Sequence, residues 1–248
     1  MIAALRSEFR KLLTIRSTYV ILLIALGLEF IFAFYVPGWK INAIDLTSDN
    51  FLASQVVSAV NVVSLLIAIV AILAVTHEYR YNTVTYTLTA SNSRTKVFFA
   101  KFIAVMVFTA VAIAFYALLS PLLSVLAINL NHRHLGVQVY DVYSLAWRSV
   151  LAGVAMSAYG FILAMAIRIQ VGALAALFFI PSTVESLLGL ILKENAIYLP
   201  FGSLNALLGV NTPGEGAVSY TTAALTVGIY VVGGFLLTWF FFLKRDAN

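Results

Sequence analysis

The sequence predicts an all-α integral membrane protein of six spans with short connections, and three observations carry that prediction. Of the 248 residues 62% are hydrophobic and only 10% charged, with a mean hydropathy of +1.00, whereas soluble domains carry about a quarter charged residues. Six apolar runs approach the length of about 20 residues that a helix needs to cross a bilayer. The basic residues are unevenly shared between the connections on the two sides. A chain of this length holds six or seven such helices and no sizeable soluble domain, so soluble chemistry has to come from a partner. The net charge of +5 reads as positional bias around the spans and not as a nucleic-acid surface. The lack of cysteine excludes disulfides, thiol catalysis and cysteine metal sites.

Residues 1–16 form no span. Ile2, Leu5, Phe9, Leu12 and Leu13 fall within an arc of about 100° at helical periodicity, with Ser7, Glu8, Arg10, Lys11 and Thr14 opposite. Such a helix is expected to lie in the membrane interface, its basic residues toward anionic headgroups. The first span follows at about 17–36 and is expected to stop at Pro37-Gly38-Trp39, a breaker pair beside an interfacial aromatic. It starts after Arg6, Arg10, Lys11 and Arg16, has full span length and lacks a small-residue cleavage pattern, so a cleavable signal peptide is not expected. The second span, about 55–75, leads into a polar, basic segment, 76–96. The third starts near 97 and stays apolar to Ile128, with Ser120-Pro121 expected to kink or stop it at about 121.

Residues 129–143 read as a loop. In it His132-Arg133-His134 has the form of a solvated turn more than of a metal site. Spans at about 145–167 and 171–192 are joined by a tight turn at Arg168, Ile169 and Gln170. The apolar patch Ile197–Val210, interrupted by Pro200, Gly202 and Gly209, is too short to span and is expected to form short interfacial or re-entrant helices within 193–219. The last span covers about 220–243. This order places 11 of the 15 basic residues on one side, leaving Lys40, Arg133, Arg148 and Lys193 on the other. The positive-inside bias then sets both termini and segment 76–96 in the cytoplasm. No internal repeat is visible.

Neither a GxxxxGK[ST] phosphate loop nor a GxGxxG helix start occurs in the sequence, so ATP, if used, is expected on another chain. The intramembrane carboxylates Glu29 and Glu185 stand out, because a charged group inside a span costs about 2.5–3.5 kcal/mol on insertion scales. They fall about 18 and 21 Å from the inner ends of their spans, in the outer half. Arg148 enters span 4 at similar depth and is expected to neutralise one of them. Two readings stand open for these residues: a polar point on a transport path, or a structural ion pair or hydrogen-bonded carboxyl.

The run Glu78-Tyr79-Arg80-x-x-Thr83, followed by Leu88, Arg94 and Lys101, resembles the first cytoplasmic loop of type-2 ABC transporter permeases. Ser7-Glu8-Phe9-Arg10-Lys11 resembles that family's amphipathic N-terminal helix. Leu199-Pro200-Phe201 through Asn205-Ala206-Leu207-Leu208 is similar to its extracellular segment before the last span. The resemblance implies a short coupling helix between spans 2 and 3, although Thr83 to Thr89 alternates threonine with apolar residues as a strand does. A lone strand in a membrane loop would lack a pairing partner. Asn82 stands where many relatives have glycine, a mild change because asparagine tolerates the left-handed conformation.

The resemblance further implies the membrane subunit of an ATP-driven exporter in the plasma membrane. It would bind no cofactor itself, with ATP and Mg on a separate ABC ATPase subunit, and it would pair with a second permease, identical or closely related, among membrane lipids. Glu8, Arg10, Glu78, Tyr79, Arg80, Thr83, Thr87, Leu88 and Arg94 would then couple to the ATPase, Glu78 and Arg80 by stiffening the loop through an ion pair with the N-terminal helix or the partner. The apolar interior tilts the substrate toward lipids, peptides or amphiphiles. The rival readings are a channel or ion-coupled carrier needing no ATPase, which usually carries midplane charges and inverted repeats, and an intramembrane enzyme, for which Glu29 with Glu185 is the only carboxylate pair and no nucleophile accompanies it.

Overall fold

A computed structural model describes residues 1–90, 93–138, 141–209 and 218–244, the side chains of residues 43, 44, 87, 90, 142 and 143 excepted. The described residues are helical throughout their regular structure, without strands, and six helices are long and apolar enough to cross a membrane. Helix α1 (Ile2–Thr14) precedes α2 (Arg16–Glu29), which continues as a wide π-helical stretch, Phe30–Lys40. The short α3 (Ala43–Leu46) leads to α4 (Phe51–Arg80), α5 (Val84–Ala90) and α6 (Arg94–Leu130). Then come α7 (Val142–Ile167), α8 (Gln170–Phe179), a π-helical turn Ile180–Glu185 and α9 (Ser186–Leu192), which together form the fifth span. A 3₁₀ turn (Lys193–Tyr198), α10 (Pro200–Leu208) and α11 (Tyr220–Lys244) complete the chain.

Helices α4 and α7 are the most deeply buried spans, with α6 beside them and α2, α8–α9 and α11 outside. Glycine allows the close approach: a Cβ on Gly160 would stand 2.8 Å from the Ala68 carbonyl oxygen, and one on Gly153 2.5 Å from Ile113 Cγ1. Between apolar helices in lipid, packing of this kind replaces the hydrophobic drive that water supplies elsewhere. At 1.5 Å per residue the 30 residues of α4 and the 37 of α6 extend about 45 and 55 Å. Both exceed a hydrocarbon core of about 30 Å, so each carries its ends beyond the lipid.

Neither proline ends its helix, although span 1 does end within one residue of the expected Pro37-Gly38-Trp39 stop. Helix α6 runs past Pro121 to Leu130. Proline removes one helical hydrogen bond, and packing of α6 along span 1 offsets that loss: Ser124 Oγ donates to the Ala33 carbonyl at 2.8 Å, and Gly38 packs against Ala127 and Asn131. Span 1 likewise continues through Pro37 to Lys40. Its terminal carbonyls are collected by Arg133, which donates to Pro37 and Gly38 at 2.8 and 3.1 Å and also to Ile41. The arginine of the His132-Arg133-His134 run is therefore a cap for span 1, not part of a solvated turn. Beyond it Gly136 N–H donates to the Leu46 carbonyl at 3.0 Å and Gln138 Oε1 accepts from Leu52 N–H at 2.9 Å, which pins the expected loop to the start of α4.

Candidate functional site

The residues singled out in segment 76–96 meet at the end of the bundle that carries α5. Helix α4 ends there in a Schellman turn: Thr83 N–H donates to the Glu78 carbonyl at 2.9 Å and Asn82 N–H to the Tyr79 carbonyl at 3.3 Å, with Asn82 left-handed at φ 52°. Glycine is the usual residue at that position and asparagine the next best. The turn reverses the chain into α5, which is a helix as the resemblance implied and not the strand its alternation reads as. In α5 the threonines bond back to the local backbone, Thr85 Oγ1 to the Asn82 carbonyl and Thr89 Oγ1 to the Thr85 and Tyr86 carbonyls. Ser93 caps α6 by accepting from Lys96 N–H.

Beneath this turn four ionised side chains close on one another. Lys101 Nζ lies 2.7 Å from Glu8 Oε2 and 2.8 Å from Glu78 Oε1, while Lys11 Nζ lies 2.7 Å from Glu8 Oε1 and 2.7 Å from Glu78 Oε1. Two carboxylates and two ammonium groups balance, which is the condition for keeping charge out of water. Glu8, Glu78 and Lys101 are buried, Lys101 to 4% exposure, and Lys11 is part-exposed. The cluster ties α1 to the last turn of α4 and the second turn of α6. Glu8 is thus turned inward, away from the headgroup-facing side expected of it, because Lys101 offers a buried partner. Leu5, Phe9 and Leu12 pack on the core beside it, while Ile2 and Leu13 stay exposed.

The two residues after Glu78 reach in another direction. Arg80 Nη1 donates to Gln170 Oε1 at 3.3 Å, and the Arg168 guanidinium sits 5.1 Å from the centre of the Tyr79 ring. Arg168 is left-handed at φ 61° in the expected tight turn between spans 4 and 5. The end of α4 therefore grips α1 and α6 through Glu78 and the α7–α8 turn through Tyr79 and Arg80. Of the two residues expected to pair with the N-terminal helix or the partner, Glu78 meets Lys11 of that helix, while Arg80 reaches Gln170 instead of α1. Of the remaining expected residues, Thr83 lies in the turn, Leu88 packs inward against the core, Arg10 and Arg94 are exposed on α1 and α6, and the Thr87 side chain is outside the described residues. The outward surface of the turn and α5 includes the exposed Thr83 together with Asn82, Thr85 and Thr89, and adds Tyr81 and Tyr86, the latter 76% exposed.

The intramembrane charges separate. Glu29 is 1% exposed between α2 and α6 beside Ser120, yet neither carboxyl oxygen nor the Ser120 hydroxyl completes a hydrogen bond among the described residues. Glu185 accepts from Phe201 N–H at 3.0 and 3.1 Å and from Gly202 N–H at 3.0 Å, filling the N-terminal donors of α10. The Arg148 guanidinium lies 4.4 Å from the Tyr220 ring centre and makes no ion pair among the described residues. The expected neutralisation of a carboxylate by Arg148 is therefore not made: the aromatic face and the α10 backbone serve the two groups separately. Lys11 and Lys101 were not among the expected coupling residues. A lysine among the first residues of an apolar run was the sequence signal for Lys101, although its partners Glu78 and Glu8 lie 23 and 93 residues away along the chain.

These elements define a six-span helical membrane protein whose N-terminal helix is locked to the end of span 2 and the start of span 3, beside the inter-span helix α5. Residues 4–193 match the ABC-2 family transporter protein family; the chain belongs to that family and is a transporter permease. No curated protein matches it.

Proposed function

We propose that this chain is the membrane-spanning subunit of an ATP-driven exporter that moves a lipid-like, peptide or amphiphilic substrate across the plasma membrane. A separate ABC ATPase subunit binds ATP and Mg and docks on α5. A second permease copy or close paralogue completes the assembly within the lipid. The observation that carries this reading is the Glu8–Lys11–Glu78–Lys101 cluster, because it joins the N-terminal helix α1 to the end of span 2 and the start of span 3, the two spans between which α5 is held. A displacement of α5 then reaches those spans as a rigid-body shift instead of being absorbed by a soft loop. Tyr79 and Arg80 extend the grip to span 5.

Arg6, Arg10, Arg16, Arg80, Arg94, Lys96 and Lys244 belong to helix ends on the α5 side, so by the positive-inside bias this side and both termini are cytoplasmic. Tyr81 and Tyr86 join Thr83, Thr87, Arg10 and Arg94 as the residues that meet the ATPase, while Leu88 supports them from within. The test replaces Glu78 by Gln and Arg80 by Ala in the complex with its ATPase. ATP hydrolysis is expected to persist while transport falls at least tenfold at unchanged protein levels, and normal coupling would reject the assignment.

A further inference from the structure

At the opposite end of the bundle, a cleft of about 890 Å³ lies between α9, the Lys193–Tyr198 turn and α10. Its volume is within the range of about 300–1,000 Å³ typical of small-molecule sites. Its walls are held in place. Glu185 fixes the start of α10 through three backbone N–H contacts, and a Cβ on Gly202 would stand 2.6 Å from the Ala196 carbonyl oxygen, so α10 sits directly against the turn. Lys193 has a positive φ of 50° with ψ −117°, which turns the chain sharply at the rim.

The lining combines both signs of charge with two amides and a hydroxyl: Glu185, Lys193, Glu194, Asn195, Asn205 and Ser186. Lys193 and Glu194 are exposed and make no ion pair among the described residues. Pro181, Leu190 and Leu199 line the rest of the cleft, and the face of α9 that leads away from it exposes Leu187, Leu190 and Ile191. A purely anionic ligand would meet Glu185 and Glu194, and a purely cationic one would meet Lys193. A ligand carrying an ammonium and a phosphate satisfies both, and apolar chains on the same molecule would continue along α9 inside the lipid.

We infer that this cleft binds the zwitterionic head group of a lipid-like amphiphile, with its chains against α9. The inference deepens the export reading, on which it rests for the use made of the site, and binding itself is measurable without any ATPase. The full chain, purified in detergent and exchanged with equal amounts of phosphatidylethanolamine and phosphatidylglycerol, is followed by native mass spectrometry. Phosphatidylethanolamine adducts are expected in about tenfold excess, the worth of one good charged contact. The double variant Lys193→Gln, Glu194→Gln is expected to bring the ratio to about one. Lys96→Gln at the other end should leave the ratio unchanged. Should the double variant lose helicity by circular dichroism, Glu194→Gln alone gives the same readout. Equal retention of the two lipids by the wild type, or an excess that survives the variant, overturns the site. Free phosphoethanolamine competing as well as the lipid overturns the role given to the chains. A clear excess in a chain that recruits no ATPase supports the site and counts against the exporter reading instead.

Discussion

Lys101 has its ammonium group between two carboxylates that water scarcely reaches. Removing one partner of a buried ion pair costs about 3–5 kcal/mol, because the charge left behind is neither paired nor hydrated. Lys101→Met is therefore expected to destabilise the protein by about that amount. Lys11→Met also leaves one buried carboxylate uncompensated, but solvent reaches that ammonium group, so its cost should be smaller, about 1–3 kcal/mol. Thermal melts of the two variants in one detergent compare them, and equal losses would show that burial does not set the strength of the cluster. Glu29 behaves differently. Its carboxyl is buried to 1% exposure and makes neither an ion pair nor a hydrogen bond among the described residues, so it matches neither structural form, and its enclosure is the ground for expecting it off the transport path. Glu29→Gln is expected to keep transport within about twofold of wild type, and a large loss would return it to the path.

Helices α10 and α5 show how short elements are held by side chains far from them in sequence. Glu185→Ala leaves the Phe201 and Gly202 N–H groups without their acceptor, at a cost of about 1–3 kcal/mol. Hydrogen exchange at those two amides should accelerate well before the rest of the bundle responds, and unchanged protection would show that Glu185 does not hold α10. The six spans, the N-terminal amphipathic helix and the tight turn at Arg168 were legible because length, hydropathy and basic flanks act locally. Partner choice was not. Whether Glu78 or Arg80 meets α1, and whether Arg148 meets a carboxylate or Tyr220, depends on helix rotation, which hydropathy leaves unspecified when a helix is apolar all round. Pro121, where a kink or a stop is expected, does not stop α6 for a related reason: the packing of α6 on span 1 is tertiary and leaves no local trace. The alternating threonines of α5 misled by periodicity alone, since their hydroxyls find backbone carbonyls within the helix.

On the scale of the molecule, the two ends have different tasks. One gathers arginines and lysines around a locked turn with two exposed tyrosines, and the other folds α10 back against spans 4 and 6. The central claim is that the first end faces the cytoplasm and receives an ATPase. Because the chain has no cysteine of its own, a single introduced thiol reports on one position without background. Tyr86→Cys and Asn195→Cys are treated with a membrane-impermeant maleimide in intact cells and in inside-out vesicles, with and without the ATPase subunit. The account predicts that the thiol at 86 reacts only in inside-out vesicles and is shielded when the ATPase is present, while the thiol at 195 reacts in intact cells. Labelling at 86 from outside intact cells would contradict it.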